Sequence, residues 1–517
     1  MDGIYLIVNQ DTLSLAGLIM LCIALGAAFA FEFVNGFHDT ANAVATVIYT
    51  KSLGPTPAVV TSGICNFFGV WAGGTGVAFT IVHLLPADLI ANEDARHGLI
   101  MVMAILAGAI IWNFGTWFKG LPASSSHTLI GSIIGVGLAD AVIRNVHFGS
   151  ESTWNKISEV FLALLISPVI GFCAAALLLL GLKIWFKHEH LHSHPYSHIP
   201  DEILRELKDK HTVHARPPHF WIRLPTVLSS MAVSFAHGSN DGQKGMGLIM
   251  LILIGLLPAN FALDKSISSQ ELDKIAVSLK AVGDMLAAKS GGEQNSNDKL
   301  QQKYGKNVNT FIDDSGLGPL LTVDCKPLIW NIGEAGKIIA NVEHARKLTK
   351  KDTWELRTKI LMIEESLSDL LLTKCLELSP GEAKSLNENR KVIRSFVEYV
   401  PTWIIFGVAL ALSCGTMIGW KRIVVTIGEK IGKSNMTYAQ GLSAQIVAAC
   451  TIGLGNMLHM PVSTTHVLSS AVAGTMVANK AGLQAKTVKD ILLAWVFTFP
   501  ASVALSAFIY LVSISLF

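Results

Sequence analysis

Long apolar stretches recur along almost the whole chain and constrain its fold more than any other feature. A helix needs about 20 apolar residues to cross the hydrocarbon core of a bilayer, and this chain of 517 residues has room for many such helices. Only 15% of its residues are charged, against about 25% in a typical soluble domain. We therefore predict an all-α polytopic membrane protein with candidate spans at 13–33, 57–85, 97–118, 157–186, 225–257, 400–420, 438–458 and 491–516.

Charged residues are concentrated in one long segment. Residues 264–398 hold 20 of the 38 acidic and 20 of the 40 basic residues. Ser268 and Glu271 can form a capping box, and leucines and isoleucines follow at helical spacing. The predicted organisation has five parts. Residues 1–186 form a first membrane repeat, 187–224 a His-rich cytoplasmic linker, and 225–258 the first element of a second membrane repeat. Residues 259–398 form a small helical soluble insert, and 399–517 form the rest of the second repeat.

Loop charges predict the orientation, because short cytoplasmic loops collect Lys and Arg. The N-terminal residues carry no basic group and 88–96 is mostly acidic, so both are expected outside. Lys51 and the segments 183–223 and 421–433 are expected inside. If 225–257 crosses the membrane once, the insert faces outside. Its cysteines, Cys325 and Cys375, could then form a disulfide in an oxidising compartment or remain two thiols.

Two motifs each occur twice, in the same order. NGFHDTANAV at 35–44 resembles AHGSNDGQKG at 236–245, and LPASSSHTLIGSIIG at 121–135 resembles MPVSTTHVLSSAVAG at 460–474. The two motifs of the second copy lie farther apart along the chain than the two motifs of the first copy, and the difference nearly equals the length of the insert. Loop charges predict that the two copies enter the membrane from opposite sides. An inverted-topology repeat of this kind is typical of secondary transporters.

Asp39 and Asp241 are carboxylates at membrane depth, where charged groups are costly and usually face a cavity, an ion or a partner. Asn42 lies one turn after Asp39 on the same helical face. Carboxylate and amide oxygens together suit a hard cation. The alternative is a structural hydrogen bond or ion pair. Glu32 could also face the interior, but it has no counterpart in the second copy and ranks lower.

The repeated Pro-x-Ser-Ser-Ser-His and Pro-x-Ser-Thr-Thr-His clusters suit an anion. Each proline can start a half-helix, whose free N–H groups favour phosphate or a similar oxyanion. The alternative is ordinary helix capping. His127 and His466, which end the clusters, are either fixed hydrogen-bond partners or take part in proton movement. The hydroxyl groups that could add donors belong to Ser124, Ser125, Ser126, Ser463, Thr464 and Thr465.

Together the four motifs resemble the PiT family of inorganic phosphate transporters, most closely its bacterial low-affinity members. The resemblance implies two inverted repeats, re-entrant hairpins that carry the hydroxyl clusters, a homodimer in the bacterial inner membrane, and phosphate held by those clusters; the N-terminus outside is the expectation from the loop charges. It also implies a cation site formed by Asp39, Asn42, Asn240 and Asp241.

The second copy departs from the family's sodium-coupled members. Their Asp-x-x-Asn pattern is present at Asp39–Asn42, but the second copy has Gln243 and Lys244 after Asp241. We expect Lys244 to occupy or abolish a sodium site and to pair with one of the two aspartates, since its ammonium is a tethered cation. Coupling would then use protons, carried by an aspartate or by His38. Relatives of this kind imply phosphate moving largely as a neutral divalent-metal phosphate.

Other functions compete with this one. Sodium-coupled phosphate or sulfate symport stays open, and so does divalent-metal transport, because His188, His190, His192 and His194 form a tract that can bind Zn²⁺ or similar ions. Nothing supplies the third group of a hydrolytic triad, and no P-loop motif occurs, so we predict neither an enzyme nor an ATP-driven pump. No resident cofactor and no nucleic-acid partner are expected.

Overall fold

A computed structural model describes residues 15–82, 84, 95–145, 151–199, 215–289, 325–373, 376 and 378–516. The prediction of an all-helical protein is confirmed for this part of the chain, where the one bridge of β type joins Gly432 to Leu483. The helices of the first half are α1 (Leu15–Tyr49), α2 (Pro55–Ala72), α3 (Gly76–Val82), α4 (Ala95–Phe118), α5 (Ser125–Arg144), α6 (Glu151–Trp185) and the short α7 (Glu189–His192).

The second half begins with α8 and resumes after the insert. Its helices are α8 (Phe220–Leu256), α9 (Pro258–Phe261), α10 (Ser269–Lys289), α11 (Lys326–Ala340), α12 (Lys350–Thr373), α13 (Pro380–Arg394), α14 (Thr402–Ile418), α15 (Lys421–Val425), a π-helical turn (Thr426–Lys430), α16 (Tyr438–Met457), α17 (Thr464–Ala478) and α18 (Ala485–Leu516).

Several of these helices can cross a membrane. Among the described residues, five single helices are long and apolar enough, and two bent pairs, α2 with α3 and α14 with the helical segment ending at Lys430, raise the total to as many as seven. The helices α8 and α16, which lie on the predicted spans 225–257 and 438–458, do not meet this criterion of length and apolar character. Most of α8 is buried because it carries the second polar motif through the centre of the bundle. The chain is therefore a multi-pass membrane protein.

The two halves show the same order of helical elements. Each has a long helix carrying the aspartate motif, then a bent pair, a helix, a hydroxyl-capped helix and a final long helix. The two hydroxyl-capped helices each pack against the final helix of the opposite half, α5 on α18 and α17 on α6. Glycines make these contacts close: a Cβ on Gly135 or Gly474 would collide with a backbone carbonyl of the partner helix.

The apolar run predicted at 13–33 continues as one helix to Tyr49, so Asp39 and Asn42 lie on that helix, as their predicted shared face requires. One local expectation is wrong. The prolines of the hydroxyl clusters do not start the following helices. Ser124 and Ser463 are the N-caps, and each hydroxyl accepts a hydrogen bond from the backbone N–H three residues later. Serine is favoured at the N-cap because its hydroxyl accepts a hydrogen bond from an otherwise free backbone N–H, whereas proline has no side-chain acceptor.

The insert has a hydrophobic core of its own, formed by α10 to α13. The predicted capping box is confirmed: the Ser268 N–H donates to Glu271 at 2.8 Å and the Glu271 N–H donates to the Ser268 hydroxyl at 3.3 Å. Arg357 is buried and donates to the Ala262 carbonyl at 2.6 Å, and this burial lowers its pKa to about 10. Cys325 precedes α11, whereas Cys375 lies outside the described residues, so the disulfide stays a prediction.

Candidate functional site

Asp39 is the centre of a buried polar cluster formed by both halves of the chain. Its Oδ1 lies 2.9 Å from His38 Nδ1 and accepts a hydrogen bond from the Thr465 hydroxyl at 2.8 Å. Its Oδ2 accepts from the hydroxyls of Ser125 at 3.0 Å and Thr464 at 3.4 Å. The side chain is almost fully buried. One carboxylate thus holds hydroxyl donors from both repeated clusters, which the sequence places far apart.

The remaining hydroxyls and the predicted amide complete the contact between the clusters. Asn42 donates to Thr465 Oγ1 at 2.9 Å and to Thr464 Oγ1 at 3.3 Å. Ser126 donates to the Val462 carbonyl beside the second cluster at 3.0 Å. Ser124 and Ser463 serve as the N-caps. The structure therefore brings all six predicted hydroxyl residues to one place, four of them with their side chains in the contact and two as caps.

Lys244 forms a buried ion pair with Asp241, one of the two partners that the sequence left open. Its Nζ lies 2.7 Å from Asp241 Oδ1, and both side chains are 0% exposed. The same ammonium donates to the Ser126 hydroxyl at 2.5 Å. The pair therefore places a positive charge directly against the first hydroxyl cluster.

His237 belongs to the site and the sequence reasoning missed it. Its Nε2 lies 3.5 Å from Asp241 Oδ2 and 3.8 Å from Asp39 Oδ2, and its Nδ1 is 3.0 Å from Asn66 Oδ1. Ligand atoms of Asp39, His237 and Asp241 all lie within 4.8 Å of one another, a grouping that can hold a metal ion. A signal was present, because a histidine four residues before an aspartate shares its helical face.

Asn240 and Gln243 are used to fix the surrounding backbone. Asn240 donates to the Met460 carbonyl at 3.1 Å. The Gln243 amide donates to the Gly73 carbonyl at 2.9 Å and to Asn456 Oδ1 at 2.6 Å, and its oxygen accepts from the Val77 N–H at 2.7 Å. Gln243 thereby joins α8 to the break between α2 and α3, and Asn240 joins α8 to the backbone beside the second hydroxyl cluster.

The cluster histidines face each other. The rings of His127 and His466 have centroids 4.6 Å apart, and His466 stacks on Trp495 at 4.1 Å. One ring nitrogen of each, His127 Nδ1 and His466 Nε2, has no hydrogen-bond partner. His38 is held differently, since its second nitrogen lies 3.3 Å from the Thr116 hydroxyl.

Glu32, which ranked lower from the sequence, is 0% exposed. Neither of its carboxyl oxygens has a hydrogen-bond partner. Its side chain packs directly on Gly245, the residue after Lys244, where a Cβ would collide with it. An unpartnered carboxylate charge at this depth is costly, which marks Glu32 as a further candidate for a proton or ion.

The linker histidines lie apart from this cluster. His192 Nε2 contacts the Phe186 carbonyl at 2.9 Å and His194 Nδ1 accepts from the Tyr196 N–H at 3.2 Å. Within the described ranges, the one group of three or more potential metal ligands is that of Asp39, His237 and Asp241. Metal binding by His188, His190, His192 and His194 stays a prediction.

A multi-pass helical protein with ionised groups and hydroxyls buried where its two halves meet belongs to the class of membrane transport proteins. Comparison with known proteins agrees. A model of the family described as "Phosphate transporter family" matches residues 35–506. The low-affinity inorganic phosphate transporters PitB and PitA of Escherichia coli K12 are each 42% identical to this chain, over 511 and 505 residues, with 96% of this chain and 97% of each relative covered.

This chain therefore belongs to the phosphate transporter family. A relative from Buchnera aphidicola, also named a low-affinity inorganic phosphate transporter, is 41% identical over 498 residues, covering 96% of this chain and 97% of the relative. These relatives are transporters, and the prediction that the protein is not an enzyme is confirmed. A solved structure of "The sodium-dependent phosphate transporter" covers 96% of this chain and 100% of its own, with a TM-score of 0.51 and 17% identity, so it shows a shared fold.

Proposed function

We propose that this protein is a secondary active transporter that imports inorganic phosphate. The observation that carries the proposal is the convergence of the two hydroxyl clusters on one buried position beside the Lys244 ammonium. Membership of the family and the names of the relatives support phosphate as the substrate. Sulfate has the same shape and charge class, so the experiment below includes it.

The hydroxyl groups suit a tetrahedral anion because they rotate. Ser125, Thr464 and Thr465 now donate to Asp39, and each can turn its O–H toward a bound oxyanion instead. Lys244 supplies a charge-assisted donor from the Ser126 side. Asp39 would then lie against the anion, which is unfavourable unless a cation or proton lies between them.

The charge balance of the site favours co-transport of positive charge. Asp39 and Asp241 carry two negative charges against one positive charge on Lys244, all with almost no exposure. A phosphate dianion adds to that imbalance, and buried charges without partners are costly. Protons or a divalent metal ion moving with phosphate would remove the imbalance. Asp39, His237 and Asp241 have the donor set for such a metal, which would be cargo rather than a resident cofactor.

We further propose that protons replace sodium as the coupling ion, because the Lys244 ammonium lies against the Asp241 carboxylate, where a sodium ion would otherwise bind. Asp39, His38 and Glu32 are the candidate carriers. The matching order of elements supports two inverted repeats that alternate access around this site. A homodimer in a bacterial inner membrane, with its N-terminus outside, completes the proposal.

The test is uptake of radiolabelled phosphate by purified protein in liposomes. Either a pH gradient without sodium or a sodium gradient at equal pH is imposed, with Mg²⁺ present or absent and with excess sulfate as competitor. We expect uptake that follows the pH gradient, needs Mg²⁺ and resists sulfate. Uptake that requires sodium would overturn the coupling proposal and keep the substrate. Absence of phosphate uptake under both gradients would refute the function itself.

A matched pair of variants ties uptake to the site. Ser125→Ala removes one hydroxyl donor from the cluster, whereas Ser515→Ala removes an exposed hydroxyl of α18 that bonds to its own helix. Loss of one buried donor to a charged group weakens binding by about 1.5–3 kcal/mol, so we expect a KM for phosphate about tenfold or more above that of the control. Equal KM values would place the phosphate elsewhere.

A further inference from the structure

A crevice of about 560 Å³ lies between the two halves of the protein, at the C-terminal ends of α4 and α14. Four cationic side chains line it: Lys119, Lys421, Arg422 and Lys430. None of them has a carboxylate within ion-pair distance in the described part of the chain. Uncompensated cations around one crevice favour an anionic ligand.

The crevice walls are tied together rather than formed by loose lysines. Arg422 donates to the Phe118 carbonyl at 2.6 Å, and its guanidinium lies 4.8 Å from the ring centres of Trp117 and Phe118. Trp117 donates to the Gly419 carbonyl at 2.8 Å. These contacts all cross from the first half of the chain to the second, so the site is built by the meeting of the two halves.

One side of the crevice is apolar and faces outward. Phe118 and Ile418, which line it, are 61% and 63% exposed, and Phe114 one turn earlier on α4 is 50% exposed. In a bilayer these side chains face the acyl chains. A basic crevice bordered by a lipid-facing apolar surface matches a ligand with an anionic head and an apolar tail.

The corresponding position in the second half is filled. Gly120 and His459 both lie four residues before an N-cap serine, and both have positive φ, 66° and 57°. The His459 side chain fills the space against Gly76, where a Cβ would collide with its imidazole. Gly120 has no side chain, and the crevice beside it stays open.

We propose that this crevice binds the phosphodiester headgroup of an anionic phospholipid, with an acyl chain along Phe118 and Ile418. The positive-inside rule assigns this end to the cytoplasmic leaflet, where anionic lipids attract basic residues. A free phosphate ion shares the headgroup chemistry but gains nothing from the apolar border. Because the lipid contacts both halves, it favours the arrangement in which these halves meet here.

The test compares phosphatidylglycerol with phosphatidylcholine as bound adducts of the purified full-length protein in native mass spectrometry. The triple variant Lys119→Gln, Lys421→Gln, Lys430→Gln removes the lysines and leaves Arg422 in place. The control changes exposed lysines outside the crevice, Lys187, Lys486 and Lys489, to Gln. The last two follow Leu483, whose bridge to Gly432 holds them at the same end of the protein.

We expect phosphatidylglycerol occupancy to fall about tenfold or more in the triple variant and to change less than about twofold in the control. Gly120→His, which imitates His459 and keeps every charge, should also lower occupancy if the crevice is the site. This variant decides the matter if the triple variant does not fold. Equal lipid binding by Gly120→His and the native protein would refute the proposal, and so would displacement of the lipid by inorganic phosphate.

Discussion

Removal of the Lys244 ammonium tests whether the buried ion pair is needed for folding, for transport or for both. Lys244→Met keeps most of the side-chain volume and leaves Asp241 without its partner at 2.7 Å. Asp241→Asn with Lys244→Met removes both charges. Since both side chains are 0% exposed, solvent cannot compensate for the loss of one of them.

The expected magnitude follows from this burial. Breaking a buried pair by removing one partner costs about 3–5 kcal/mol, whereas replacing both partners with neutral groups is often close to neutral. The single variant should therefore have a free energy of unfolding about 3 kcal/mol or more below that of the double variant. Both should transport phosphate poorly, because Ser126 loses its charged partner.

Reversible unfolding in mixed micelles gives these free energies. With Asp241→Asn alone as the fourth protein, a double-mutant cycle isolates the coupling between the two residues. A single variant as stable as the double variant would show that buried Asp241 does not need Lys244 as its partner and would refute the reasoning. In the liposome uptake assay, Lys244→Asn restores the Asp-x-x-Asn pattern, and we expect sodium-stimulated uptake that the native protein lacks.

Three further outcomes are expected. Glu32→Gln should abolish phosphate accumulation driven by a pH gradient and retain phosphate exchange at equal pH, while Glu159→Gln on the exposed face of α6 should retain both; accumulation by Glu32→Gln would exclude it as a proton carrier. Gly415→Ala should destabilise the protein by about 1–3 kcal/mol because its Cβ would collide with a carbonyl of α1, whereas Gly453→Ala, with nothing within 4 Å, should not; equal unfolding midpoints would contradict this packing. In the insert, hydrogen bonds from its capping serine lower the pKa of Glu382 from 4.5 to about 2, so its ionised form stabilises the fold above pH 4.5 and this contribution is lost as pH falls toward 2. Glu382→Gln should lower the unfolding midpoint at pH 7 and converge with the native protein at low pH; a constant difference would refute the assignment.

The sequence by itself determined the all-helical class and the repeated motifs, and it named most of the residues that the structure brings together around Asp39. These features are local: apolar runs of about 20 residues give membrane helices, and matching motifs give matching elements. The capping box at Ser268 and the polar character of Asp39 and the hydroxyl clusters needed no knowledge of distant contacts.

Only the tertiary structure decided which groups meet. Asp39 takes its hydroxyl donors from residues 86 and 426 positions away, and nothing local specifies that pairing. Asn240, which the sequence predicts at a cation site, donates to the backbone beside the second cluster, and that contact has no local signature. His237 joined the site because α8 crosses the bundle beside α1. Glycines without local meaning allow these close approaches, since the backbone of one helix meets the backbone of another only where a side chain is missing. Contacts of this kind depend on the residues of the partner helix, and a local sequence pattern carries no information about which helix that is.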